Sequence, residues 1–332
     1  MTHRILIIGV GSIGERHLRC FQKTERCALA LCETQPKLRD QIAQRYGIED
    51  AYEDLDAVPL ENFDAAVICT PAPFHVPMAT KLAEAGLHVL IEKPLSTSLD
   101  GIERLKSVLH ERKRIGALAY VNRAHPALAQ MKQALDEKRF GEPRQLVSVS
   151  GQHFPTYRPA YREIYYARHE SGGGAIQDAL THSLNAGEWL IGPIDRLAAD
   201  AAHQVLEDVS VEDTVHLMAR HGDVLGSYSL NQFQAPNESF IQVNATHGSC
   251  RYEPRHNRWR WIHHGDDEWR EQEFEGIERD TTFIIQANAF MDCIEGISPR
   301  PLCTVEEGEQ TLRVNLAALR SAFEDEGKFV NL

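Results

Sequence analysis

The chain has 332 residues, 42% hydrophobic and 25% charged, and its 35 Lys and Arg against 48 Asp and Glu give a formal charge of −13. That composition suits soluble globular domains and excludes disordered, collagen-like and small disulfide-scaffold classes, while the length suggests two domains. The acidic balance gives no footprint for nucleic acid and opposes an anionic membrane surface, so a bound anion needs a local site of backbone N–H groups or a few arginines.

Continuous apolar runs at residues 5–8, 28–32, 65–69, 88–91 and 115–119 predict strands covered on both faces. Amphipathic helices alternate with them. Residues 37–46 end at Gly47, residues 78–85 end at Gly86, and Ser98 is placed to cap a helix running to about Arg112. Strands alternating with helices predict βαβ units and a parallel sheet. His3-Arg4 before an apolar run could open a signal peptide, but glycines interrupt the run and Glu15-Arg16-His17 follows. A buried strand accounts for it better. No apolar stretch reaches the ~18 residues of a membrane span, and seven cysteines without a CxxC pair predict reduced thiols in the cytoplasm.

After about residue 122 the pattern changes, which predicts one domain over 1–122 and another over 123–332. A helix over 127–138 leads to a strand over 145–150, then an irregular stretch over 152–172 and a helix over 175–190. Alternating segments at 214–219, 224–231, 240–246, 250–253, 258–263 and 268–273 predict antiparallel hairpins. Two helices close the chain, the second opened by the capping box Thr304-Val305-Glu306-Glu307.

Gly9-Val10-Gly11-Ser12-Ile13-Gly14 follows the first strand and opens a helix. Its first glycine allows the turn, the second lets backbone approach a pyrophosphate and the third lets helix pack on strand. Glu33 ends the second run, where a carboxylate can accept from an adenosine ribose and repel a 2′-phosphate. NAD is favoured over NADP, although Lys37 and Arg39 offer some charge compensation. A methyltransferase could use the same loop and acid. Cys69-Thr70-Pro71, with His75 beyond it, and Glu92-Lys93-Pro94 end the next strands, where α/β sheets place ligands, and a lysine there can reach a nicotinamide.

These motifs together resemble the glucose-fructose oxidoreductase, inositol dehydrogenase and MocA family, over essentially the whole chain. Gly172-Gly173-Gly174-Ala175-Ile176-Gln177-Asp178 with His182, and Phe290-Met291-Asp292-Cys293-Ile294-Glu295-Gly296, belong to the likeness. The resemblance implies a Rossmann domain followed by an α+β domain with an open, mainly antiparallel sheet that often makes a dimer or tetramer interface. It implies a sugar-like substrate between the domains, with Lys93, Asp178 and His182 catalytic and Pro94 in cis. Two departures stand out: Ala72 replaces the usual Asn, and Arg123-Ala124 replaces an Arg-aromatic pair. The stretch from Gly151 to Arg168 is similar to a branch associated with surface sugars.

Asp178 and His182 share one helix face, as a solvated surface pair also would. The three glycines before them permit close backbone approach to a ligand. With Arg123, the cluster Arg158, Tyr161, Arg162, Tyr166 and Arg168 is the candidate substrate shelf, its arginines suited to a carboxylate or phosphate, against a plain loop with packed tyrosines. The run from Arg255 to His264 mixes basic and aromatic residues as single-strand binders do, but its alternation reads as a packed or oligomer-facing hairpin. Its two histidines lack metal-ligand spacing, and no metal is expected. The function expected is hydride transfer between NAD and a hydroxyl or ketone carbon of a sugar or polyol. The competing readings are a non-catalytic NAD-binding regulator and an enzyme holding NAD as an internal redox catalyst.

Overall fold

The computed structural model describes residues 3–332. Its contacts divide into two units: the first runs to Ala124 and includes Glu278–Glu309, and the second comprises His125–Ile277 and Gln310–Leu332. The single boundary expected at 122 is thereby corrected, because the chain contributes to the first unit a second time.

The first unit alternates β1 (His3–Ile8), α1 (Ser12–Gln22), β2 (Cys27–Cys32), α2 (Pro36–Tyr46), β3 (Ala51–Tyr52), β4 (Ala65–Ile68), α3 (His75–Glu84), β5 (His88–Ile91), α4 (Ile102–Arg112) and β6 (Gly116–Leu118). The strands order as β3-β2-β1-β4-β5-β6 with every pairing parallel, the doubly wound order that opens a ligand crevice where it reverses between β1 and β4. Ile5, Leu6 and Ile7 of β1 are fully buried, each contributing about 1.5–3 kcal/mol. Gly47 closes α2 at φ 67°, as its position predicted. Ser98 does not cap α4: Gly101 holds that place, and Ser98 accepts from the Asp100 amide in the preceding turn.

The second unit holds α5 (Pro126–Asp136), β7 (Pro143–His153), α6 (Phe154–Tyr157), a π-turn over Ile176–Leu180 continuing as α7 (Thr181–Ile191), β8 (Arg196–Ala202), β9 (Thr214–His221), β10 (Val224–Asn231), β11 (Phe233–Ala245), β12 (Gly248–Glu253), β13 (Arg258–His263) and β14 (Arg270–Glu273). Next come α8 (Thr281–Ile294) in the first unit, α9 (Val305–Phe323), which belongs to the first unit up to Glu309 and to the second from Gln310, and β15 (Val330–Asn331) in the second. The order is β14-β13-β12-β11-β7-β10-β9-β8-β15. Only β7 and β10 pair in parallel; the other pairings are antiparallel. Trp259 is buried and stacks on Trp261 at 4.4 Å, with Arg139 over the Trp261 ring. Arg258 and Arg260 face Glu253 and Glu271, so the strand part of the aromatic-basic run, residues 258–261, is engaged in packing and internal ion pairs.

The capping box at α9 is reciprocal: the Thr304 amide donates to Glu307 at 2.9 Å and the Glu307 amide to Thr304 Oγ1 at 3.3 Å. Within the first unit α8 packs Ala287, Phe290 and Met291 into the β1–α1 core. Asp280, ahead of α8, takes a two-pronged bond from Arg19 of α1 at 2.6 and 2.8 Å. Those hydrogen bonds from Arg19 hold the Asp280 carboxyl below its usual range. A depressed carboxyl stabilises the fold above its unfolded value near 3.9 and loses that stabilisation as pH falls through the folded value. Asp280→Asn should therefore cost about 1–2 kcal/mol near neutrality, and thermal melts should show the gap from wild type closing in acid; a gap that stays constant contradicts the assignment.

Candidate functional site

The turn from β1 into α1 explains its three glycines separately. Gly9 adopts φ 79°, and a side chain there would meet the Cys69 carbonyl at 3.0 Å. At Gly14 a Cβ would lie 1.8 Å from the Gly9 carbonyl oxygen, whereas at Gly11 it would meet nothing within 4 Å. Gly11 is also the N-cap of α1 and supplies no side-chain bond to the amides that follow, Ser12 and Ile13 among them. An uncapped helix N-terminus beside open space is suited to a phosphate. Glu33, at the end of β2, is nearly buried and accepts from the amides of Val10 at 3.0 Å and Gln35 at 2.9 Å. Oε1 also accepts from the Thr34 hydroxyl at 3.5 Å, whereas Oε2, bonded to the Val10 amide, has a second acceptor site suited to a ribose hydroxyl.

Two buried histidines hold the turns after β4 and β5. His17, one turn beyond Gly14, places Nε2 2.7 Å from Glu92 Oε1, and the other Glu92 oxygen accepts from the Lys93 amide at 3.0 Å. Burial pushes the Glu92 carboxyl up, but His17 and Lys93 outweigh it and keep the group below its usual range. His75 lies between the carbonyl oxygens of Thr70, 2.7 Å from Nε2, and Pro94, 2.9 Å from Nδ1. Both contacts are full hydrogen bonds only for the imidazolium, which burial disfavours. His75, 1% exposed, thus joins the Cys69-Thr70-Pro71 turn to Lys93-Pro94, whose peptide bond is cis. Burial drives the Cys69 thiol well up, which leaves it a poor nucleophile.

In the second unit Asp178 sits in the π-turn and His182 in the first turn of α7, an i→i+5 widening of the kind common at functional sites. A buried polar ladder fixes α7 against α9. Asn185 donates to Thr311, Thr311 and Gln310 donate to Glu188, and Asn315 donates to Thr181. Ahead of Asp178 the glycines make room for protein: a Cβ at Gly173 would lie 2.2 and 2.5 Å from the Tyr166 and Tyr165 carbonyl oxygens, and one at Gly174 2.6 Å from the Glu212 carboxylate. This corrects the expectation that they admit a ligand. Glu212, buried, accepts from the Ile176 amide at 2.8 Å and pairs with His169 Nε2 at 2.5 Å.

The expected substrate shelf divides. Arg123, 2% exposed, is corrected to a brace between Glu307 at 2.8 Å and the Leu302 carbonyl at 3.0 Å. Tyr161 and Tyr166 are corrected to core residues, packed with Phe154, Leu206 and Val211, with Tyr166 donating to Gln232. Arg162 pairs with Glu207 and Asp208. Arg158, half-buried, and Arg168, exposed, carry no ion pair among the described residues. Tyr165, which the sequence reading passed over, donates to Asp178 Oδ1 at 2.7 Å.

Residues 3–120 match the profile of an oxidoreductase family with an NAD-binding Rossmann fold, and residues 128–251 match the C-terminal domain of the same GFO/IDH/MocA family. The chain belongs to the GFO/IDH/MocA family. It is 27% identical over 196 residues to an inositol 2-dehydrogenase/D-chiro-inositol 3-dehydrogenase of Halalkalibacterium halodurans, 58% of this chain and 53% of that protein; the match thus spans about half the length of that relative. Among solved structures, levoglucosan dehydrogenase in complex with NADH and levoglucosan superposes with a TM-score of 0.88 at 21% identity, over 100% of this chain and 99% of that one. The WlbA dehydrogenase of Bordetella pertussis, in complex with NADH and UDP-GlcNAcA, superposes at 0.84 and 23%, over 100% and 98%. At these identities the two structures share the fold. As a family member the chain carries NAD as its cofactor, and the Gly11 cradle and uncapped α1 fit the pyrophosphate. No helix among the described residues is long and apolar enough to cross a membrane.

Gly11→Ala should leave the melting temperature near wild type and weaken NADH binding by about tenfold or more, whereas Gly14→Ala should lower the melting temperature itself. Equal thermal losses in the two variants, alongside fluorescence titrations with NADH, would contradict the division of roles. The Glu212 hydrogen bond raises the His169 imidazole above its ordinary value. A raised histidine stabilises below its unfolded value near 6.5 and ceases to as pH rises through the folded one. Hydrogen-exchange protection at residues 165–173, corrected for the intrinsic pH dependence of exchange, should fall as pH rises above the unfolded value in wild type and show no such step in His169→Gln.

Proposed function

We propose that the chain is an NAD-dependent dehydrogenase or reductase of CH–OH groups, acting on a sugar, a polyol or a sugar derivative, nucleotide sugars and surface-sugar precursors included. The observation that carries this reading is Lys93 on a turn gripped by two buried histidines, in the same unit as the phosphate-ready α1. The chemistry that NAD supplies when bound is acceptance of a hydride from a carbinol carbon, or its donation to a ketone. His182 takes the hydroxyl proton in oxidation and returns it in reduction, because imidazole titrates near neutral pH. Lys93 hydrogen-bonds the reacting oxygen and stabilises developing alkoxide charge. Asp178 orients His182 or a substrate hydroxyl.

The inositols, levoglucosan and UDP-GlcNAcA named for the relatives support the sugar and polyol class. Arg158 and Arg168, without acidic partners among the described residues, are the candidates for an anionic group on that substrate. Met218 and Leu225, 58% and 50% exposed on β9 and β10, support a homo-oligomer through the open sheet face, and seven free cysteines support a reducing, cytoplasmic setting.

A screen of NAD reduction across polyols, aldonates, amino sugars and nucleotide sugars should find a substrate. With that substrate Lys93→Met should turn over about 100- to 1,000-fold more slowly while NADH binding changes little. Near-wild-type turnover by Lys93→Met removes the lysine from the mechanism. A full panel without Lys93-dependent signal favours the non-catalytic regulator, and NAD that stays bound and cycles without net NADH favours the internal redox catalyst.

A further inference from the structure

Tyr165 and Tyr166 are adjacent in one 3₁₀ turn and differ sharply in burial. Tyr166 is fully buried, its ring 4.7 Å from Phe154, as an aromatic residue in a small core should be. Tyr165 is 45% exposed. Its ring gives up burial, and its hydroxyl donates to Asp178 Oδ1 at 2.7 Å, a charge-assisted bond stronger than one between neutral groups.

The backbone on both sides of that bond is anchored to the same buried group. Ser171 Oγ donates to the Tyr165 carbonyl at 2.7 Å, and Gly173 passes too close to that carbonyl for any side chain. His169, between them, pairs with Glu212. Glu212 also accepts from the Ile176 amide, two residues before Asp178. One carboxylate, at 1% exposure, therefore ties both the loop that presents the phenol and the turn that presents Asp178. The distance between phenol and carboxylate is set by a closed circuit of hydrogen bonds.

We propose that Tyr165 is a positioning residue for Asp178: the hydrogen bond it donates to Oδ1 fixes the rotation in which the carboxylate meets His182 or a substrate hydroxyl. This rests on the catalytic reading of Asp178 given above. The loop that carries Tyr165 thereby takes part in the reaction through Asp178, although Tyr161, Arg162 and Tyr166 are committed to its own packing.

The test is a double-mutant cycle on the full chain with NAD and a substrate from the screen, using Tyr165→Phe, Asp178→Asn and both together. Tyr165→Phe should lower kcat by about tenfold while KM for NAD and the melting temperature stay at wild-type values. In the Asp178→Asn background the same change should lower kcat no further. A wild-type kcat for Tyr165→Phe, or an equal loss in both backgrounds, overturns the proposal while Lys93→Met and Asp178→Asn still report on the active site. If Lys93→Met and Asp178→Asn both turn over normally, the catalytic reading fails and this inference falls with it.

Discussion

Helix α1 leaves β1 so closely that Gly14 touches the carbonyl of Gly9, and no other residue could take its place without moving backbone. Much of the first unit follows from that contact. The tight departure leaves the N-terminus of α1 open at Gly11, where phosphate binding needs it, and aims the next inward position, His17, at Glu92. Glu92 in turn holds the amide of Lys93. Four positions on, Phe21 enters the core beside Phe290 of α8, and Arg19 secures Asp280. A single helix thus links the cofactor turn, the lysine turn and the returning segment of the chain, each through an interaction one turn further along.

The second unit solves a similar problem with a carboxylate. Glu212 lies where burial of an unpaired charge would be costly, and it meets that cost with the Ile176 amide and His169. The partners it recruits are the turn bearing Asp178 and the loop bearing Tyr165. Glycines at 173 and 174 allow both to crowd around it. The π-turn and the polar ladder from α7 to α9 then present Asp178 and His182 from a base that has little freedom to shift.

The parallel sheet, the glycine turn, the α9 capping box and the hairpin series were legible in the sequence, because each rests on local spacing: apolar runs, glycines at helix ends, Thr and Glu three apart. Strand β8 was not. Its Arg196-Leu197-Ala198-Ala199-Asp200-Ala201-Ala202 is rich in a helix former, and pairing with β9 and β15 makes it a strand. Ser98 looked like a cap by residue type, yet Gly101 took the place.

What the sequence determined by itself about this protein is the family, the fold class and the turns able to hold NAD, all of which are written in short ordered motifs. What only the tertiary structure decided is which polar residues remain available for chemistry. Arg123, Tyr161 and Arg162 read like ligand contacts, but each has a protein partner far along the chain, Glu307, Glu207 and Asp208 among them. Tyr165 and Glu212 belong to no local motif that singles them out. Their roles depend on what stands opposite once distant segments meet, and no local spacing encodes that.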